Sequence, residues 1–194
     1  MWRWGCDHVI ATAKCVKLGL VDAGLVPSDR VTVIGEWAAD AFFDTSRRQE
    51  HRATVRREFS IPDKCPVVSV IGMVRDDKAQ DVLIHTVDEM RRRGRPISAL
   101  IVGSAPIGQE AYERSLHDLT RDLGLVDHVV FTGYRDDVPR LAQASDALVV
   151  TSRIEAQSRT VPQAFASAVP VVASRVGGVS ELVTPGETGW LVEA

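Results

Sequence analysis

The residues best suited to binding chemistry lie in a short polar stretch between Glu155 and Gln163. A carboxylate repels a phosphate, so Glu155 is better suited to accepting hydrogen bonds from sugar hydroxyls than to holding an anion. Gln163 both donates and accepts hydrogen bonds, which suits a ribose diol. The alternative is that Glu155 is a capping carboxylate and Gln163 a solvated helix amide. This stretch alone slightly favours that alternative.

A helix is predicted to start inside the same stretch, at Ser158, Arg159 and Thr160. Pro162 is tolerated only in a first helical turn, where its missing N–H costs nothing, and either Ser158 or Thr160 can supply the capping hydroxyl. Backbone N–H groups at a helix start have no partner within the helix and point outward, where they bind phosphate. The spacing therefore predicts an anion site beside Glu155.

Two apolar runs frame the stretch and predict buried strands. Residues 147–150 precede it and residues 169–173 follow it, with a helix continuing over 164–168 and Gly177-Gly178 leading into a further short helix. Runs of this length and β-branched content are typical of strands that are covered on both faces. Because ligands bind outside the carboxyl ends of parallel strands, the polar residues that follow each strand are expected to share one edge of a sheet.

The same alternation of strand and helix extends from residue 66 onward. Successive βα units predict a parallel sheet with helices on both faces, which is an α/β, Rossmann-like fold. The predicted strands are 67–72, 97–102 and 129–132, and the predicted helices are about 79–93, 110–123 and 138–144.

The beginning of the chain predicts one more such unit, with a strand over 8–12, a helix over 13–23 and a strand over 30–34. Residues 44–60 are highly charged and carry five arginines, with acidic residues nearby and no aromatic residue between the arginines. This pattern favours a solvated helix over a nucleic-acid-binding patch.

Composition indicates an ordinary globular protein of 194 residues, with 45% hydrophobic and 25% charged residues. The net charge of −3 gives no general attraction to nucleic acid, and no apolar run approaches membrane-spanning length, so at most peripheral membrane association is expected. Met1-Trp2-Arg3-Trp4 does not resemble a signal peptide. The cysteines at positions 6, 15 and 65 are odd in number and widely spaced, which predicts reduced thiols in a cytoplasm.

The stretch from residue 145 to residue 183 resembles the donor site of retaining glycosyltransferases of the GT-B fold, which include glycogen-synthase-like and lipopolysaccharide sugar transferases. Their signature has a Glu, seven residues and a second Glu. Here Glu155 and Gln163 occupy those positions, with Gln in place of the second Glu. The likeness covers nearly the whole chain. Further matching motifs are Pro170-Val171-Val172-Ala173, Gly177-Gly178, Glu181-Leu182-Val183 and Gly186-Glu187-Thr188-Gly189-Trp190-Leu191-Val192.

The resemblance implies that the loop from Gly72 to Lys78 holds the donor diphosphate through an Arg and a Lys. Lys78 matches the Lys, Met73 stands where the Arg is common, and Arg75 is a nearby substitute; Ala79 replaces the usual Gly. Such a clamp stabilises the charge that develops on the leaving diphosphate. The alternative is that both cations pair with the aspartates of their own loop.

The segment from Phe131 to Arg135 resembles the loop that lies over the nucleobase, which implies contacts from Gly133, Tyr134 or Arg135. Exposed loop residues are the alternative. The resemblance also implies the following donor contacts: Glu155 to the sugar, backbone groups of Ser158, Arg159 and Thr160 to the phosphate, and Gln163 to the ribose.

The resemblance predicts two parts in the chain. Residues 1–44 are a remnant of an N-terminal acceptor domain with its linker, and residues 45–194 are a C-terminal nucleotide-sugar-binding domain, truncated at its C-terminus. The implied reaction transfers a sugar from a nucleotide diphosphate sugar to an acceptor hydroxyl with retention, in polysaccharide, lipopolysaccharide or glycolipid synthesis. The acceptor, a saccharide or lipid-linked glycan, is bound through the missing N-terminal domain, so this piece alone is expected to be inactive.

Two other functions stay open: a nucleotide-sugar-binding module that is inactive on its own, and a GT-B nucleotide-sugar 2-epimerase. The Glu155 to Gly178 stretch favours the transferase over the epimerase. No metal or cofactor is expected, because the sequence lacks the Asp-x-Asp of metal-dependent glycosyltransferases and has no Gly-x-Gly-x-x-Gly fingerprint. The sequence also lacks a nucleophile elbow motif.

Overall fold

A computed structural model describes residues 6–193 of the chain. The first five residues and Ala194, which belong to the two predicted parts of the chain, lie outside the described residues. The strands are Val9–Ala11 (β1), Val31–Val33 (β2), Val67–Ile71 (β3), Ser98–Val102 (β4), Val129–Gly133 (β5), Ala147–Val150 (β6), Val171–Ser174 (β7) and Gly189–Val192 (β8). The α-helices are Lys14–Asp22 (α1), Arg48–Glu58 (α2), Gln80–Arg92 (α3), Glu110–Asp122 (α4), Val138–Ala144 (α5) and Thr160–Ala166 (α6).

Six of the strands form one sheet in the order β5-β4-β3-β6-β7-β8, and every neighbouring pair in it is parallel. The chain builds outward from β3 to β5, then returns to the other side of β3 with β6 and continues to β8. The direction of winding therefore reverses between β3 and β6. In open α/β sheets, the crevice at such a reversal, outside the carboxyl ends of the strands, is where ligands bind.

Helices cover both faces of this sheet, as the sequence predicts. On one face, Val70 and Ile101 pack with Leu83 of α3 and Leu116 of α4. On the other, Leu100 packs with α2 and α5. Every side chain of β4 is buried, which is the environment expected for a central strand covered on both faces.

The helix predicted within residues 44–60 is α2, and it is solvated on one face only. Val55 and Arg56 are buried, and Arg52 and Arg56 both pair with Asp146 at the start of β6. A third arginine, Arg48, donates to the carbonyl oxygen of Ala168. Several of the arginines therefore attach the helix to the sheet.

The predicted unit at the start of the chain is present as the two-stranded parallel sheet of β1 and β2, with α1 between them. Glu181 connects it to the large sheet, because its carboxylate accepts the backbone N–H groups of Lys14 (2.9 Å) and Cys15 (2.8 Å) at the start of α1. Burial alone would raise the pKa of Glu181, but these hydrogen bonds lower it. Glu181 thus caps a helix 166 residues earlier in the chain.

The structure differs from the sequence prediction at two places in the large sheet. The strand predicted over 169–173 begins two residues later, at Val171, and the helix before it ends at Ala166. The edge strand β8 was not predicted as a strand. Among residues 6–193, no helix is both long enough and apolar enough to cross a bilayer.

Candidate functional site

The crevice between β3 and β6 is lined by two loops, which we call the β3 loop (residues 72–79) and the β6 loop (residues 151–159). Gly72, Lys78, Ser152 and Glu155 are among the residues that border a cavity of about 30 Å³ at this point. The cavity is about large enough for one water molecule or one ligand hydroxyl.

Lys78 and Glu155 form an ion pair across the crevice. The distance from Lys78 Nζ to Glu155 Oε2 is 2.5 Å, and the two side chains are 25% and 10% exposed. Ser152 Oγ donates to the same carboxylate oxygen over 3.0 Å, whereas Glu155 Oε1 accepts no hydrogen bond from a described residue. One oxygen of this nearly buried carboxylate is therefore engaged, and the other retains its capacity to accept.

The two loops are joined by a set of bonds to the main chain. Thr151 Oγ1 donates to the carbonyl oxygen of Lys78 over 2.7 Å, and the Arg153 N–H donates to that of Asp77 over 2.8 Å. Thr160, at the start of α6, donates its hydroxyl to Ile71 at the end of β3 over 3.0 Å. These bonds fix the separation of Lys78 and Glu155 through the backbone as well as through the ion pair.

The Gly177-Gly178 motif packs against the main chain of the β6 loop. A Cβ on Gly177 would lie 1.7 Å from the carbonyl oxygen of Glu155, and one on Gly178 would lie 2.4 Å from that of Ala156. The Gly178 N–H also donates to the carbonyl oxygen of Ala156 over 2.9 Å. Only glycines allow the main chains to approach this closely, so the motif positions Glu155.

Glycines close the other side of the crevice in the same way. A Cβ on Gly103, at the end of β4, would lie 1.9 Å from the carbonyl oxygen of Gly72. The Gly103 N–H donates to the carbonyl oxygen of Gly133 over 3.0 Å. The ends of β3, β4 and β5 therefore pack main chain to main chain on this side of the crevice.

Arg75 lies in the β3 loop but pairs with Asp77, as the alternative to a diphosphate contact predicts. Its Nε donates to Asp77 Oδ1 over 2.8 Å, and the guanidinium lowers the pKa of the Asp77 carboxyl. In turn, Asp77 raises the pKa of Arg75, and Glu155 adds a weaker effect in the same direction. For Lys78 the same alternative is wrong, because Lys78 pairs with Glu155 and not with an aspartate of its own loop.

The start of α6 corrects the predicted cap. The residue before the first turn is Arg159, whose side chain forms no capping hydrogen bond, and the hydroxyl of Thr160 bonds to Ile71 of β3 instead. Ser158 is buried beside the cavity, whereas Arg159 is exposed and pairs with no described carboxylate. Pro162 does lie in the first turn, and Gln163 follows it with a half-buried side chain that forms no hydrogen bond with a described residue.

The loop after β5 lies outside the cavity. Tyr134 is 80% exposed, and Gly133 adopts a positive φ of 67°. Arg135 is held by Asp137, with its Nε 2.7 Å from Oδ1, and by Glu58 of α2. The Arg135 hydrogen bond and that of Arg140 hold the pKa of Asp137 well below its usual range, although burial opposes them. This cluster of four charges joins α2 to α5.

Sequence reasoning missed several residues that shape the crevice, namely Thr151, Ser152 and Gln80. The sequence carries little indication of these roles, because small hydroxyl residues such as Thr151 and Ser152 are common after a strand, and a glutamine such as Gln80 is common in a helix. Gln80 is 1% exposed and borders the cavity; its Nε2 donates to the carbonyl oxygen of Met73 over 2.9 Å, and its buried Oε1 has no partner among the described residues. Ala79 links Gln80 to Lys78 in a left-handed conformation, with φ of 51°. Among residues 6–193, no group of three or more acidic, histidine or cysteine side chains is arranged to hold a metal ion.

Comparison with known proteins identifies relatives of this chain. A family described as "Glycosyl transferases group 1" matches residues 65–194. A D-inositol 3-phosphate glycosyltransferase of Corynebacterium efficiens is 32% identical over 169 residues, which are 85% of this chain and 39% of that protein. An alpha-D-kanosaminyltransferase of Streptomyces kanamyceticus is 28% identical and covers 98% of this chain and 50% of its own length. The chain thus spans half or less of the length of these relatives.

Solved structures share the fold. Anabaena Alr3699/HepE, crystallised in complex with UDP and glucose, superposes with a TM-score of 0.87 at 28% identity and covers 96% of this chain and 49% of its own. The same protein in complex with UDP-glucose also superposes with a TM-score of 0.87.

Proposed function

The chain belongs to the glycosyl transferases group 1 family, and we propose that it carries the donor site of a retaining glycosyltransferase. The donor is a nucleoside diphosphate sugar, and the sugar passes to an acceptor hydroxyl. In this proposal residues 45–194 bind the donor, and residues 1–44 are the end of the acceptor-binding half and its linker. The complete reaction requires the remainder of a protein about twice this length, as in the relatives.

One observation carries the proposal: the pairing of Lys78 with Glu155 at the reversal between β3 and β6. A nucleoside diphosphate sugar presents two kinds of group, an anionic diphosphate and neutral hydroxyls. Lys78 offers the cation that the diphosphate needs, and the unoccupied Oε1 of Glu155 offers the acceptor that a hydroxyl needs. The fold therefore brings both complementary groups to the edge where ligands bind.

Other residues complete the proposed contacts. The backbone N–H groups of Ser158, Arg159 and Thr160 face the phosphates. Gln163 takes the ribose, with both amide groups available. The loop carrying Gly133, Tyr134 and Arg135 lies toward the nucleobase, where the exposed ring of Tyr134 is suited to stacking.

The proposed chemistry is electrostatic. As the bond between sugar and diphosphate breaks, negative charge grows on the leaving oxygen, and a fixed cation stabilises that charge more strongly than the ground state. Lys78 is assigned this role. Arg75 adds a second cation when its guanidinium leaves Asp77 and binds the phosphate. The acceptor half positions the attacking hydroxyl and excludes water.

Calorimetric titration of this chain with UDP, GDP and ADP tests the proposal. We expect saturable binding with a preference for one base, and we expect Lys78→Ala to weaken it by about tenfold or more, because a charge-assisted contact is lost. Lys64→Ala is the matched control, since Lys64 is exposed and lies just before β3, at the opposite edge of the sheet. Failure of all three diphosphates to bind, or equal weakening by both substitutions, would contradict the proposal.

A further inference from the structure

We propose that Glu155 makes the site discriminate between a nucleoside diphosphate sugar and the free nucleoside diphosphate, by holding Lys78 until a sugar hydroxyl takes its place. The inference rests on the proposed function and adds to it a preference for the nucleotide sugar over the free diphosphate. Its basis is that the two groups assigned to different parts of the donor are bonded to each other.

The ion pair lies where separating its charges is costly. The Glu155 side chain is 10% exposed, and among the described residues only Lys78 and Ser152 donate hydrogen bonds to its Oε2. A nearly buried carboxylate that loses its cation retains a charge that water cannot fully solvate, and this is much more costly than the loss of an exposed ion pair. A diphosphate that draws Lys78 toward itself therefore leaves Glu155 with one hydroxyl donor.

The neighbouring cations are already engaged. Arg75 is close enough for Glu155 to raise its pKa, but its guanidinium is bonded to Asp77, which raises that pKa more. Arg153, two residues before Glu155, pairs with Asp76 and Asp81. Neither arginine replaces Lys78 without giving up a carboxylate of its own.

The two ligands differ in what they bring to Glu155. A free nucleoside diphosphate presents only acceptor oxygens and negative charge to this carboxylate, so it takes Lys78 without compensating Glu155. A sugar attached to the diphosphate presents hydroxyl donors. A hydroxyl that donates to Glu155 restores the lost hydrogen bond and partly solvates the buried charge, so the nucleotide sugar incurs a smaller penalty than the free diphosphate.

A functional consequence follows for turnover. After transfer the sugar has left, and the product at this site is the free diphosphate. Glu155 then competes with that product for Lys78, which favours its release. The ion pair thus weakens binding of the product relative to the substrate at the same cation.

The test compares Glu155→Gln with the unsubstituted chain by calorimetric titration with two pairs of probes, UDP against UDP-glucose and GDP against GDP-mannose. Glutamine retains the shape but does not hold Lys78 as an ion pair. We expect the variant to bind the free diphosphate about five- to tenfold more tightly and the nucleotide sugar no more tightly. Glu187→Gln, at an exposed position in the turn before β8, controls for a general change in charge.

A double-mutant cycle separates the exchange from simple repulsion between carboxylate and phosphate. In a Lys78→Met background, Glu155→Gln should improve diphosphate binding by much less than it does when Lys78 is present. An equal improvement in both backgrounds would overturn the exchange, as would an unchanged ratio of sugar to free diphosphate affinity. Absence of binding by any nucleotide to any variant would instead overturn the proposed function, and the inference with it.

Discussion

The carbonyl oxygen of Glu155 lies 1.7 Å from the point at which a Cβ on Gly177 would stand. Any side chain at position 177 must therefore displace the β6 loop. We predict that Gly177→Ala lowers the free energy of unfolding by about 3 kcal/mol, since it adds overpacking to a strained positive φ of 45°. Nucleotide binding should be lost even in the fraction that remains folded. Denaturant unfolding and calorimetric titration measure the two effects.

Gly186→Ala is the matched control for that prediction. Gly186 also has a positive φ, of 83°, but nothing lies within 4 Å of the point that a Cβ on it would occupy. This substitution should cost only the conformational strain, about 1–2 kcal/mol, and leave binding unchanged. Equal effects of the two substitutions would show that the contact with Glu155 is unimportant.

Ala168 adopts a left-handed conformation, with φ of 54°, just after α6. Because an L-residue is strained there and glycine is not, we predict that Ala168→Gly raises the free energy of unfolding by about 0.5–1 kcal/mol. Ala166→Gly, inside α6, should lower it by a similar amount. The two midpoints of urea unfolding should move in opposite directions, and a loss of stability in both variants would contradict the prediction.

Asp137 gives stability that depends on pH. The Arg135 and Arg140 hydrogen bonds depress its pKa in the folded protein, so its contribution is complete above the unfolded value of about 4 and is lost as the pH falls below it. We predict that Asp137→Asn destabilises the protein by about 2 kcal/mol at pH 7. The difference from the unsubstituted chain should shrink by about 1 kcal/mol at pH 3.

Denaturant unfolding at both pH values measures this change. Asp118→Asn provides the control, because the Arg121–Asp118 pair is exposed and should contribute less than about 0.5 kcal/mol. A deficit for Asp137→Asn that stayed constant from pH 7 to pH 3 would show that its charge is not what stabilises the cluster.

Glu181 holds the start of α1 against the large sheet. No residue of α1 is buried, so little apolar packing replaces this cap. We predict that Glu181→Ala speeds amide hydrogen exchange in residues 14–22 by an amount that corresponds to about 1 kcal/mol, while β3 and β4 keep their protection. Unchanged exchange in α1 would mean that other contacts attach it.

Much of the large sheet was predictable from the sequence, because its strands are apolar runs that end at polar loops. The strand predicted over 97–102 is wholly buried as β4. The edge strand β8 escaped prediction, since it begins at Gly189 and leaves Trp190 62% exposed, so it lacks the continuous apolar character of a central strand.

The site was less predictable, because its geometry depends on contacts between distant residues. Lys78 and Glu155 are 77 residues apart, and their pairing follows from strand order, which the sequence does not specify directly. Local preference alone suggested that Ser158 or Thr160 caps α6, but the hydroxyl of Thr160 bonds to Ile71, 89 residues away. For Arg135, the neighbouring aspartates were the local signal that its guanidinium would be engaged.

Binding of the donor between the β3 loop and the β6 loop is tested most directly by amide hydrogen exchange, measured with and without saturating UDP-glucose or GDP-mannose. We predict slower exchange in residues 72–79 and 151–163 and no change in residues 9–30. Protection confined to residues 9–30, or none at all, would contradict donor binding at this crevice.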